Sequence, residues 1–380
     1  MNVPGAASAW RNVLPASVPA PARAPASADM RAAVADAVRS GLMRARKSLP
    51  PWLLYDDAGS DCFEEITCLP EYYLTRTERA ILLRDAGAMV EAAGGPLEII
   101  ELGAGSAQKT RLLLEAALAR QPRVRYIPVD VSPAALTQAQ AALRDLRRLE
   151  VKPVVARYPD ELGFLLAERP DRRRLVVFLG SNIGNYDPRA AHRLLAGVHS
   201  RLGPADALLI GADRRKTSKL LLPAYDDAAG VTARFNKNLL VRLNRELGAA
   251  FDPERFRHVV RWNDRASRVE LYLESVVSQR VAIAALGVEV AFRARERIHT
   301  ESSYKLTEAR LHGLLGRAGF APEASWVDDQ RWFGLTLARA GRAEPPAARR
   351  VRRDPEQRAP AARRGWPPAG SGPGRRAGSP

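Results

Sequence analysis

Cysteine is scarce, with two residues in 380, Cys62 and Cys68. Two thiols without a neighbouring histidine build neither a disulfide framework nor a four-ligand zinc site, so both are expected reduced and buried. Long apolar runs are also missing. No window approaches the ~18 uncharged apolar residues of a membrane span, and prolines interrupt the first 26 residues where a signal peptide needs a continuous apolar core. The expectation is a cytoplasmic protein without membrane contact. The five histidines are scattered, which argues against a metal centre. His192, His199, His258 and His312 read as surface or core residues, and His299 as structural. Neither an internal repeat nor a zinc finger, basic zipper or RNP-like aromatic pattern occurs, which weighs against specific nucleic-acid recognition.

Acidic residues are in deficit, 42 against 59 Lys and Arg, for a net charge of +17. The location of the excess decides its meaning. Residues 341–380 hold ten Arg, three acids and eight Pro, so this stretch alone carries +7 and leaves +10 spread over the rest. A segment of that composition buries too little apolar surface to offset chain entropy and reads as a disordered tail, open at most to weak polyanion contact. Residues 1–29, rich in Ala, Pro and Ser, read as a second disordered end.

Between the ends, short aliphatic runs alternate with helical periodicity, the pattern of βα units on a parallel sheet. Leu97-Glu98-Ile99-Ile100 runs into the glycine turn Gly103-Ala104-Gly105, and a helix-like stretch follows from Lys109. Val124 to Asp130 is a second strand, after which Ser132 reads as an N-cap with Pro133 in the first turn. Further strands are expected at 154–156, 175–179 and 207–210, giving an α/β, Rossmann-like doubly wound sheet. Residues 215–304 change character, with a long helix from Tyr225 to Leu247 and alternating strands, and read as an inserted α+β lobe. A helix ending at Gly319 and a last strand at 333–338 return to the sheet.

A glycine turn after a strand lets backbone approach a ligand. Gln108 stands where a dinucleotide fingerprint has its third glycine, which disfavours a nicotinamide-dependent oxidoreductase, the competing reading of this fold. Glu101 before the turn suits a cationic ligand better than a phosphate. Asp130, one βα unit later, can accept both hydroxyls of a ribose. A ribose on a positive, phosphate-free ligand points to S-adenosylmethionine.

Four further strings are too polar or aromatic for plain core: Leu69 to Arg76, Phe178 to Asn185, Ala224 to Thr232, and His299 to Lys305. With the glycine turn and Trp52 to Asp56, they are co-linear across residues 30–340 and resemble the histidine-specific methyltransferases of ergothioneine biosynthesis. That resemblance implies a class I methyltransferase core at 77–214 and 305–340, with an inserted substrate-binding lobe from 30–76 and 215–304. It implies S-adenosylmethionine held by Gly103, Lys109 and Asp130, with Arg157 and Tyr158 in the place of the family's Asp–aromatic pair at adenine. Asp160 is the alternative acid there, because a guanidinium has no acceptor for the adenine amino group. It further implies L-histidine as substrate, its carboxylate on Asn185 and Tyr225 and its imidazole on Glu301, Ser303 and Tyr72. Leu271 takes the place of a Met common beside the ring. Trimethylation of the α-nitrogen by a monomer is the implied activity. Action on another amino acid, or an inactive or nucleic-acid-associated protein, is the alternative.

Overall fold

Aliphatic runs rich in Val, Ile and Leu become the strands of a central sheet because both faces are covered by helices. The computed structural model describes residues 22–23, 30–157, 161, 163, 166 and 172–341. The expected disordered ends lie outside these residues, apart from 22–23 and 341. In chain order the strands are β1 (Ala22–Arg23), β2 (Leu97–Leu102), β3 (Val124–Asp130), β4 (Leu149–Val151), β5 (Val154–Val155), β6 (Arg173–Phe178), β7 (Ala207–Asp213), β8 (Phe256–Asn263), β9 (Arg268–Ser275), β10 (Gln279–Ile283), β11 (Val288–Phe292), β12 (Arg297–Tyr304), β13 (Ala321–Val327) and β14 (Phe333–Arg339). Helices α1 (Met30–Leu42), α2 (Asp57–Thr67), α3 (Tyr73–Ala93), α4 (Thr110–Arg120) and α5 (Pro133–Leu143) are followed by longer-range helices at Pro188–His199, Val231–Leu247 and Glu308–Arg317.

The main sheet has the order β1-β5-β3-β2-β6-β7-β14-β13, with β4 beside β3. Pairing is parallel up to β7, and β14 and β13 then run antiparallel. The strand order reverses direction between β2 and β6. In a doubly wound sheet that switch point opens a crevice at the strand carboxyl ends. This is the doubly wound sheet expected for the core. Two apolar clusters cover its faces, one built on α3, α4 and β2, the other on the helices Pro188–His199 and Glu308–Arg317. A third cluster belongs to the antiparallel sheet β12-β9-β8, α1, and the helix Val231–Leu247.

Local chemistry sets several boundaries as the sequence indicates. Ser132 Oγ accepts from Ala135 N and caps α5, and Gly319 ends its helix with φ +99°. Other boundaries differ. The long helix begins at Val231 rather than Tyr225, because the Asp227 carboxylate accepts from Val231 N and Thr232 N at 2.8 Å each and caps it there. Strand β13 was not foreseen, its alternation being confined to Glu323-Ala324-Ser325-Trp326; it pairs with β14 through an irregular register between Pro322 and Ala324. Helix α3 runs unbroken through residue 76, with Tyr73 and Leu74 in the cluster of the antiparallel sheet and Ile81 to Ala93 in that of the main sheet. Ala22–Arg23 pair with Val154–Val155 within a stretch expected to lack structure. Cys62 is half-buried and Cys68 exposed, so burial holds for neither in full.

Candidate active site

The turn after β2 passes through Gly103 (φ 74°) and Gly105 (φ 53°), a left-handed backbone that side chains disfavour. Gly103 N and Ala104 N donate to Val129 O at 2.8 and 3.1 Å, which ties the turn to the end of β3. Asp130, the last residue of β3, then accepts from Gly105 N at 2.9 Å on one oxygen and from Ser132 N at 3.0 Å on the other. Each oxygen keeps acceptor capacity. Burial raises this carboxyl above its usual range, and backbone N–H groups of Ser132, Gly105 and Val131 act against the rise. Asp130, Gly103 and Gly105 line a cavity of about 510 Å³ together with Arg157, Asn182 and Asn185. A Cβ on Gly105 would meet no protein atom within 4 Å, so protein packing is not what keeps this position bare.

Glu101 does not meet a cationic ligand in the way expected. Its carboxylate is 2% exposed and accepts from Thr110 Oγ1 at 2.6 Å and from the Tyr126 hydroxyl. Burial raises it to about 7, while both donors hold it down. It fastens the start of α4 to β3 instead. Lys109 has a partner that sequence reasoning missed: its Nζ lies 2.5 Å from the fully buried Glu78, whose carboxylate also accepts from Gly180 N at 2.9 and 3.0 Å. A buried acid in the middle of α3 leaves no periodic signal beyond being a charge on an apolar face.

The second cavity adjoins the first, sharing Tyr55, Phe63, Asn182 and Asn185 with it. Its wall at the end of β6 is a tight turn, with Gly180 at φ 71° and Ser181 at φ 58°, leading into the 3-10 turn Asn182–Asn185. A Cβ on Gly184 would lie 2.8 Å from Tyr304 O, so glycine lets this turn pack directly on β12. Asn185 is thereby held at the junction of the cavities. Tyr72, Tyr225, Leu271, Glu301 and Ser303 line the second cavity together. All five residues expected at the substrate, Asn185 included, thus meet there, from segments up to about 230 positions apart in the chain.

A β-bulge explains how β12 contributes. The β12–β9 register shifts between His299, opposite Tyr272, and Glu301, opposite Leu271. The extra residue reverses the face on which later side chains emerge. His299 therefore shares a face with Ser302, bonding its Oγ at 2.9 Å, and packs on the Tyr272 ring. Glu301, Ser303 and Lys305 form the opposite row. Ser303 Oγ lies 2.8 Å from the Tyr225 hydroxyl, and the buried Lys305 ammonium contacts both. Glu301, only 6% exposed, makes no side-chain hydrogen bond or ion pair with another described residue. Burial raises it to about 7, and the Lys305 charge alone opposes that.

The profile of the family described as histidine-specific methyltransferase, SAM-dependent, matches residues 34–340. The chain belongs to this family. A histidine N-alpha-methyltransferase of Mycolicibacterium smegmatis is 44% identical over 302 residues, which is 79% of this chain and 93% of that protein. The ergothioneine biosynthesis protein 1 of Neurospora crassa is 30% identical over 295 residues, 77% of this chain but 33% of that longer protein. An L-tryptophan methyltransferase of Psilocybe serbica is 26% identical over 333 residues, 80% of this chain and 92% of that protein. This methyltransferase is an S-adenosylmethionine-dependent N-methyltransferase. The donor set in the larger cavity fits that cofactor: an anchored carboxylate, a bare glycine turn, and acids rather than a cluster of cations around it. Arg157 also lines that cavity, and its guanidinium sits 5.2 Å over the Trp52 ring. Tyr158 and Asp160 lie outside the described residues. Residues not foreseen in the family-derived set are Tyr55, Phe63 and Asn182, which border both cavities, and Glu64, which borders the glycine turn. Tyr55 and Asn182 fall within strings that the sequence singles out, while only packing in three dimensions marks Phe63 and Glu64.

Proposed function

We propose that this methyltransferase trimethylates the α-nitrogen of L-histidine in the cytoplasm, giving hercynine as the first step of ergothioneine biosynthesis. The observation that carries the reading is Glu301, a buried carboxyl with no described protein partner, placed beside Ser303 in a pocket lined mainly by aromatic and aliphatic side chains, with Ser181, Asn182, Asn185 and Thr232 as its other polar members. A buried polar group without a partner costs roughly 1–3 kcal/mol, more when charged, so this pocket favours a ligand that brings a polar ring edge. An imidazole does so with two nitrogens. The activities named for the Mycolicibacterium and Neurospora relatives support the same choice.

When bound, S-adenosylmethionine supplies an electrophilic methyl group on its sulfonium sulfur. Gly103 and Asp130 would hold the nucleoside, Asp130 through the acceptor capacity left on its two oxygens. Lys109 would face the amino-acid carboxylate, with Glu78 limiting its reach, and Arg157 and Tyr158 would border adenine. At the other end, Asn185 and Tyr225 clamp the substrate carboxylate, while Glu301, Ser303 and Tyr72 fix the ring. The α-nitrogen then lies at the junction of the cavities, with its lone pair free to align. Such orientation supplies on the order of 7–11 kcal/mol of barrier reduction without covalent help from the protein. Tyr55 and Phe63 stand at that junction, their ring centroids 5.6 Å apart. Aromatic faces accommodate a nitrogen that gains methyl groups and becomes a permanent cation. Residues 30–76 and 215–304 serve as the substrate lobe in this reading, and 77–214 with 305–340 as the cofactor core.

Incubation with methyl-labelled S-adenosylmethionine and a panel of amino acids, with products identified by mass, tests the proposal. L-Histidine should take up three methyl groups in preference to the others. Equal turnover of tryptophan or tyrosine would refute the pocket assignment.

A further inference from the structure

Lys305 is 0% exposed and does not line either cavity, yet it touches two hydroxyls that do. Its Nζ lies 2.7 Å from Asp213 Oδ2, 2.6 Å from Tyr225 OH and 2.8 Å from Ser303 Oγ. An ammonium has three N–H donors and no acceptor, so these three contacts consume it completely. Both hydroxyl oxygens therefore accept from the lysine. They also lie 2.8 Å from each other, so one of their two protons is spent between them. A single hydroxyl proton is left to point at a ligand.

We propose that Lys305 is a positioning residue that sets the polarity of the substrate pocket, so that Tyr225 donates outward to a carboxylate and Ser303 presents its remaining lone pair to a ring N–H. The inference rests on the reading of L-histidine as substrate. The proton count leaves two arrangements. If Tyr225 donated to Ser303, its oxygen would turn lone pairs toward the substrate carboxylate, which repels them. A bound carboxylate therefore selects the other arrangement, in which Ser303 donates to Tyr225 and Tyr225 donates to the carboxylate. Toward the ligand, Ser303 is then an acceptor only. Recognition at the two ends of the substrate is coupled through this one proton, and the coupling exists because the lysine occupies an acceptor site on both oxygens.

Asp213 gives the lysine its fixed place. It ends β7, is fully buried, and also accepts from Tyr73 OH at 2.7 Å and from Lys216 at 2.5 Å. Its own N–H donates to Ser181 Oγ at 2.9 Å, in the turn that leads to Asn185. The central sheet thus anchors a cation that acts in the lobe's pocket. Because Asp213 retains Lys216 and Tyr73, removing Lys305 does not leave that acid unpaired, and a Lys305→Met protein keeps a paired core.

The test compares binding of L-histidine and L-histidinol, which lacks the carboxylate, by titration calorimetry with S-adenosylhomocysteine present. In Lys305→Met, L-histidine should weaken at least tenfold while L-histidinol changes less than threefold. In Tyr225→Phe the same substitution at Lys305 should add less than threefold, since the lysine acts through the tyrosine. A purely structural lysine would weaken both ligands by the same factor, and that result, or an unchanged histidine affinity, overturns the inference. If Lys305→Met does not fold, as read from its melting curve and cofactor-product binding, Lys305→Gln is compared in the same way. Failure of the unaltered protein to bind L-histidine would instead refute the substrate reading, and this inference with it.

Discussion

Two buried glutamates, Glu101 beneath the glycine turn and Glu301 in the lobe's pocket, are both pushed up to about 7 by burial, but their surroundings differ. Glu101 accepts from Thr110 and Tyr126 and is satisfied within the protein. Glu301 has no such donor among the described residues. A raised carboxyl alone therefore does not identify a ligand site; the unfilled acceptor does. The same contrast separates Asp130, whose oxygens are half-used by backbone, from Asp213, whose partners Tyr73, Lys216 and Lys305 fill it.

The largest effect should come from Asp130→Ala. It removes acceptors for two ribose hydroxyls and also frees Gly105 N and Ser132 N, at roughly 1.5–3 kcal/mol for each charge-assisted bond. Cofactor Kd by calorimetry should rise at least about a hundredfold, with histidine affinity much less affected. An unchanged Kd would place the ribose elsewhere.

Next is the pair Glu301→Gln and Glu101→Gln. The histidine KM of Glu301→Gln should exceed that of the unaltered enzyme by about 10–100-fold at pH 8, the loss expected for one hydrogen bond to a charged group. That ratio should shrink below pH 7, where Glu301 is itself protonated and resembles the amide. Stability should move the other way. The native Glu301 carboxyl binds its proton more tightly than an unfolded one, so its contribution to stability falls as pH rises from about 4.5 to 7. Glu301→Gln removes that loss and should gain about 1–3 kcal/mol at pH 8 in thermal unfolding. Glu101→Gln should show no such gain, because its amide would face the Tyr126 hydroxyl with a second donor. Equal stabilisation of both would erase the distinction drawn between them.

The smallest effect is expected at Arg157. Its guanidinium already rests on Trp52, a contact of roughly 0.5–1 kcal/mol, so Arg157→Asp exchanges one favourable interaction for another. Cofactor Kd should change by less than about threefold. A tenfold tightening would show that an acid at this position binds adenine far better.

Much of the frame is legible without coordinates. The alternation of aliphatic strands with helices, the glycine turn, the Ser132 cap and the acid ending β3 are local signals, because each depends on residues within one turn or strand. The order of the co-linear strings also marks the site residues before folding is considered. What escapes is every feature that depends on distant partners. Glu78 under Lys109 and the role of Glu101 are decided by neighbours far along the chain, whereas the start of the Val231–Leu247 helix at its Asp227 cap is a local signal.

The sequence by itself determined the βα order, the glycine turn after β2 and the residue types available for a ribose, a carboxylate and a ring, since these follow from periodicity and side-chain chemistry. Tertiary structure alone decided which acid is satisfied and which is open, because hydrogen-bond satisfaction is a property of position in space. It also decided which way β12 faces. One extra residue between His299 and Glu301 turns the histidine away and brings Glu301, Ser303 and Lys305 to the pocket side. A strand's period of two carries no record of a bulge until its partner strand is in place.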